Sequence, residues 1–194
     1  MKSTDLMAPP RSPQFSMELF VVAHAEALYE LLKDPRLYEF LDDAPPASAA
    51  AVRERVARSE SRRSPDGREH WLNWVVRDAA GQVAGYVQAT VPIPADPAAD
   101  LGADTNIAYI FAPSHWGRGL AAGATREMMQ IVARDHGATA FKVSADRRNA
   151  RSIALARKLG FVEATPEQLA ARAVHPNDVL LLRPAQDRGA PKAA

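Results

Sequence analysis

The chain of 194 residues contains no cysteine. That absence excludes disulfide staples, thiolate zinc sites and a cysteine nucleophile in one step. Charge of one sign is lacking too: 24 Lys and Arg stand against 23 Asp and Glu, a formal net charge of +1. No global field draws such a chain to nucleic acid or to an anionic membrane, so any recognition of charge must come from local patches. Long hydrophobic runs are also missing. No segment approaches the roughly 20 apolar residues of a membrane span, and the opening MKSTDLMAPPRSPQ has no apolar stretch of the kind a secretory signal needs. A cytoplasmic protein without membrane or nucleic-acid partners is the expectation. The five histidines show no metal-ligand spacing, and no metal is expected.

What is present is an ordinary globular profile, 47% hydrophobic and 24% charged, in a length that suits one domain. Residues 1–15 and 184–194 are rich in Pro, Ala and polar residues. They are expected to be flexible tails on a single domain spanning 16–183.

Along that domain, MELFVVA (17–23) reads as a first strand, and Ala27, Leu28, Leu31 and Leu32 then fall at helical spacing before Asp34-Pro35 interrupts. Val52 and Val56, four apart among arginines and glutamates, mark a surface helix within 46–63. HWLNWVVRDAAGQVAGYVQATV (70–91) is a hairpin signal with an Asp-Ala-Ala-Gly turn. Trp71 and Trp74 lie on opposite faces of that strand by alternation, so at most one of them lines a pocket. After a proline-broken acidic loop, NIAYIFA is a strand. Leu120, Ala124, Met128, Ile131 and Val132 then form one stripe of a helix ending near Gly137. ATAFKVSA is a strand, NARSIALARKLGF a helix capped by Asn149 and closed by Gly160, and a strand pair follows near 161–163 and 179–183. The order gives an α+β fold with a mixed, mostly antiparallel central sheet flanked by helices.

The stretch HWGRGLAAG (115–123) sets two glycines around an arginine at a helix start. Glycines there make a plain turn, or they let a phosphate approach the unpaired amides of the first helical turn. No Gly-Lys-Ser/Thr follows, as a P-loop would require, and GxGxxG is absent, so neither rival nucleotide site is supported.

YIFAPSHWGRGLAAG, followed about thirty residues later by NARSIALARKLGF, resembles the acetyl-CoA-binding core of the GNAT N-acetyltransferases, and in particular their ribosomal-protein N-terminal acetyltransferase branch. Gly119 and Ala121 match the last two fixed positions of the family's loop, and Trp116 stands where Arg or Gln is usual. The resemblance implies that backbone amides across Gly117, Arg118, Gly119, Leu120, Ala121 and Ala122 cradle the cofactor pyrophosphate, with Arg118 adding charge. It implies that Ile110, Phe111 and Ala112 hydrogen-bond the pantetheine arm and thioester through their backbone, and that Asn149 and Ser152 contact the arm of acetyl-CoA.

The acid that many such enzymes place in the second motif falls on Ala156, so the tyrosine is missing, and a glutamate common after the loop is replaced by Gly123. Ser152 is the remaining candidate in the motif, with Tyr109 as an outside choice. His70 and His115 read as surface or packing residues. Two acidic segments border the acceptor site in this family, which makes Asp42, Asp43 and Asp104 candidates to draw a cationic amine toward the thioester. The implied activity is acetyl transfer to a protein N-terminal amine or a small-molecule amine by direct attack in a ternary complex, in a monomer or homodimer. A non-catalytic acyl-CoA-binding or regulatory module of the same fold is the alternative. Nucleic-acid binding through the arginines of 53–63 and 147–158 is disfavoured, because apolar residues interleave with them at helical spacing.

Overall fold

A computed structural model describes residues 14–95, 105–170, 172 and 174–184. Seven strands form one sheet in the order β1 (Phe15–Leu19), β2 (Glu69–Asp78), β3 (Val83–Pro92), β4 (Thr105–Phe111), β5 (Ala140–Asp146), β7 (Asp178–Pro184), β6 (Val162–Glu163). Every neighbouring pair is antiparallel except β4 and β5. The mixed, mostly antiparallel sheet expected from the sequence is therefore the observed one.

Helices α1 (Ala25–Leu32) and α2 (Ala49–Glu60) cover one face, α3 (Leu120–His136) and α4 (Ala150–Lys158) the other, and a short α5 (Pro166–Ala170) precedes β7. Alternation along the strands divides the core accordingly. Leu72, Trp74, Val87, Ile107 and Phe111 pack with α3 and α4, whereas Val75 and Tyr86 pack with α1 and α2. The predicted stripe on α3 is buried throughout, from Leu120 to Val132. Its larger side chains, Leu120, Met128, Ile131 and Val132, each contribute about 1.5–3 kcal/mol by leaving water. On α2 the two valines are the buried positions, facing α1, and Ser48 caps the helix by accepting from the Ala51 N–H at 3.2 Å.

Several boundaries differ from the sequence reading, and the first strand ends at Leu19, not Ala23, because Val22–His24 turns into a 3-10 helix. The first strand begins at Phe15, not Met17, because the Phe15 ring is buried against α3 and its backbone pairs with Asp78. Tail and domain limits set at 15/16 and 183/184 thus each fall one residue too far in, since β7 also takes in Pro184. The short α5 had no expectation at all: five residues, none of them buried, give no periodic signal. Residues 1–13 and 185–194 lie outside the described residues.

Candidate functional site

The one parallel contact in the sheet is brief. β4 and β5 pair only at Thr105 with Phe141 and Asn106 with Lys142, after which the strands separate. On its other edge β4 stays zipped to β3 as far as Phe111, and the Ala112 N–H donates to the Ala84 carbonyl at 2.9 Å. An antiparallel ladder alternates its hydrogen-bonding direction. If Ala112 faces β3, so does Ile110, and Tyr109 and Phe111 turn their backbone groups toward the gap. The Phe111 carbonyl confirms that direction, accepting from the Trp116 indole at 2.7 Å on the far side from β3. This corrects the expected set. Of Ile110, Phe111 and Ala112, only Phe111 offers its amide to the gap; Ala112 spends its N–H on Ala84 and its carbonyl on the His115 amide. Tyr109 joins Phe111.

The glycine loop sits at the end of this gap. Gly117 and Gly119 hold φ of +75° and +83°, the left-handed region that suits glycine. Gly119 is the N-cap of α3, and no side chain caps the helix there. A β-carbon built on either glycine would meet nothing within 4 Å, so both are glycine for backbone shape and the space over them is open. An uncapped, open helix start of 17 residues presents its first amides, at Leu120, Ala121 and Ala122, together with about half a positive charge. The exposed Arg118 stands between the glycines. These features fit a diphosphate.

Two contacts lock the loop in place. His115 Nε2 lies 3.0 Å from Asp78 at the tip of the β2–β3 hairpin, and this hydrogen bond holds the Asp78 carboxyl below its ordinary pKa. The Trp116 ring carries the Arg151 guanidinium 3.6 Å above its centroid, tying the loop to α4. The position usually taken by Arg or Gln thus holds an indole that braces β4 and α4 together. Gly123 has a packing reason as well: a β-carbon there would fall 2.8 Å from the Phe15 ring, so a glutamate is replaced where β1 leans on the first turn of α3.

The two proton-transfer candidates meet directly. The Tyr109 hydroxyl donates to the Ser152 carbonyl at 3.0 Å and lies 3.1 Å from Ser152 Oγ. Burial pushes the Tyr109 pKa up, with the Ser152 hydrogen bond pulling the other way. Asn149 caps α4 as expected, its Oδ1 accepting from the Ser152 N–H at 3.0 Å, which fixes Ser152 for the contact. Ala156 is buried in the main core one turn further on.

The acidic candidates do not cluster. Asp42 is 89% exposed in its side chain and pairs with His175 at 3.5 Å, while Asp43 accepts from the Ala44 N–H at 2.8 Å. Asp104 lies outside the described residues. Glu39 reaches Arg151 at 3.9 Å and the Phe40 ring lies 5.9 Å from the Arg148 guanidinium, so the segment after α1 rests on the start of α4. Arg148 in turn pairs with Asp146 and holds its carboxyl down to about 2. Among the described residues no three His, Asp or Glu side chains stand close enough to hold a metal.

Sequence reasoning missed a cleft of about 250 Å³ on the opposite face, between α1, α2 and the β2–β3 hairpin. Trp71 lines it while Trp74 is fully buried on the other side of the sheet. Alternation gave that division, but nothing in the sequence showed that α2 would roof the same patch.

The Acetyltransferase (GNAT) domain model matches residues 16–162. The chain belongs to this GNAT family. Its fold is shared with solved structures at low identity. One, described as ribosomal L7/L12 α-N-protein acetyltransferase with coenzyme A, has a TM-score of 0.71 at 21% identity, covering 90% of this chain and 96% of that one. A Salmonella typhimurium acetyltransferase, described as modifying the N-terminal serine of L7/L12, has a TM-score of 0.69 at 19% identity over 90% and 97%. A Vibrio cholerae spermidine N-acetyltransferase with CoA and spermine has a TM-score of 0.66 at 16% identity over 90% and 97%. No curated protein matches in sequence.

Proposed function

We propose that this GNAT chain is an acetyl-CoA-dependent N-acetyltransferase acting on a primary amine. The observation that carries the reading is the separation of β4 from β5 directly beside an uncapped, glycine-started helix. Free strand amides suit the amides of a pantetheine arm, and the helix start suits its diphosphate. When bound, acetyl-CoA supplies an acetyl thioester as the acyl donor. Tyr109 and Phe111 present N–H groups along the gap, where a donor aimed at a carbonyl oxygen stabilises developing negative charge by a few kcal/mol. Tyr109, kept protonated by burial and positioned by Ser152, is the group that holds a proton for a departing thiolate. Ser152 positions the phenol rather than acting alone. Asp43, whose charge raises the Tyr86 pKa, is the acidic candidate for drawing in the amine.

Solved neighbours with CoA bound support the donor side, and the described acceptors of such neighbours include both a protein N-terminus and small amines. A thermal-unfolding titration tests the reading. Acetyl-CoA at about 100 times its Kd should add about 2.7 kcal/mol, a shift of several degrees, with ATP and NAD giving none. Gly119→Glu should abolish that shift, since it strains a left-handed position and sets a carboxylate where a diphosphate would lie. No shift up to millimolar acetyl-CoA in the wild type would refute the donor site.

A further inference from the structure

The cleft on the α1/α2 face lies next to the gap. Asn73 on β2, Gln88 on β3 and Ala108 on β4 are register partners, so they form one row across three strands, ending at the β4 edge that faces the gap. Asn73 and Gln88 both line the cleft. Strands are spaced by about 4.8 Å, so a molecule seated there reaches the gap within roughly 10 Å. Ala108 adds only a methyl group to that row.

The charge of the cleft is one-sided. Arg55 and Arg58 come from adjacent turns of α2 and line it with Ser59, beside an apolar lining that includes Phe20, Leu32 and Val56. No carboxylate lines it among the described residues, and neither arginine forms an ion pair there. The nearby Glu69 is engaged by the Trp71 indole at 2.9 Å. Tyr86 also lines the cleft: burial raises its pKa, the Arg55 guanidinium, by its charge and a hydrogen bond to the Tyr86 hydroxyl, draws it down, and the Asp43 charge raises it. The cleft therefore pairs an apolar lining with two guanidinium groups that no carboxylate of the described residues pairs. Guanidinium forks match carboxylates in a bidentate geometry. A polyamine would instead meet two like charges.

Resting on the acetyltransferase reading, we propose that Arg55 and Arg58 form the specificity site for an acceptor that carries a carboxylate and an apolar group as well as its amine, of the size of an amino acid or short peptide. The cleft volume, just below the roughly 300–1,000 Å³ usual for ligand pockets, suits such a molecule. The carboxylate binds at α2, the apolar group lies against the apolar lining, and the amine points along Gln88 and Ala108 to the gap.

Direct binding tests this without turnover. Glycyl-L-phenylalanine, its C-terminal amide and spermidine would each be titrated into the wild-type protein, Arg58→Gln and Arg55→Gln/Arg58→Gln, with calorimetry or tryptophan fluorescence as the signal. The dipeptide should bind at least about tenfold more tightly than its amide, Arg58→Gln should remove most of that preference and the double variant all of it, with Tm unchanged. Arg58→Gln keeps the test valid should loss of Arg55 disturb Tyr86. Equal or tighter binding of the amide, tighter binding of spermidine, or no dipeptide binding up to about 10 mM would overturn the proposal. Acetyl-CoA binding in the same samples reports separately on the donor site: retained acetyl-CoA binding with no dipeptide preference sinks this inference alone.

Discussion

The two proposed sites would recognise their ligands by different means. The donor site would rest on backbone: amides at the start of α3 and along the free edge of β4, shaped by glycines at 117 and 119. The proposed acceptor cleft would rest on side chains of α2, β2 and β3 that are far apart in sequence, such as Arg55, Trp71 and Gln88. Backbone recognition of a phosphate needs a contiguous segment of fixed shape, so it leaves a motif. A side-chain cleft assembled from three elements leaves none.

That difference can be broken by substitution. The largest expected effect is Gly117→Val, which strains a residue at φ +75°: acetyl-CoA affinity should fall by about 100-fold or more while dipeptide binding at the α2 cleft stays within about twofold. Parallel losses of both ligands would show that the two sites are not separable. Next is Tyr109→Phe, expected to lower kcat by about 100-fold with little change in acetyl-CoA Kd, because it removes a proton donor and keeps the ring. Ser152→Ala should cost less than about tenfold, since the Ser152 carbonyl still holds the phenol. A Ser152→Ala loss equal to that of Tyr109→Phe would instead make Ser152 the acid.

Smaller effects sharpen the packing side. His24, His70 and His136 all have pKa values lowered from about 6.5 by burial, and the His70 and His136 rings pack at 4.7 Å. An unfolded chain therefore takes up protons first as pH falls. Stability from these groups is full above about 6.5 and is lost as pH drops through their lower folded-state values. Urea midpoints should decline between pH 6.5 and 5, and His70→Gln/His136→Gln should flatten that decline. A flat wild-type profile would mean that these rings are not held neutral. The smallest effect is Gly123→Ala. Its new methyl group meets the Phe15 ring at 2.8 Å, so Tm should fall by a few degrees, about 1 kcal/mol, measured by calorimetry.

Much of the fold was legible because its signals are local. The α3 stripe, the Asn149 cap, the hairpin turn at Gly81 and the left-handed Gly137 each need only their own neighbours. The meeting of Tyr109 with Ser152 was not, because the two residues are 43 positions apart and both were named without being joined. Ala112 was misplaced for a similar reason: a strand sequence does not say which of its amides face the next strand and which face open space. Phe15 was lost in a polar, proline-rich stretch whose one aromatic ring is buried by α3, an element more than 100 residues away.

The brief pairing of β4 with β5 has a mechanical meaning. Among the described residues, two residue pairs are the only backbone hydrogen-bonded seam between a four-stranded ladder and a three-stranded one. The sheet is a fault line held shut at one end, and whatever occupies the slot takes over the role of the missing rungs. Loading should therefore stiffen the whole molecule, with exchange of the Tyr109 and Phe111 amides slowing first and the two ladders losing their freedom to part.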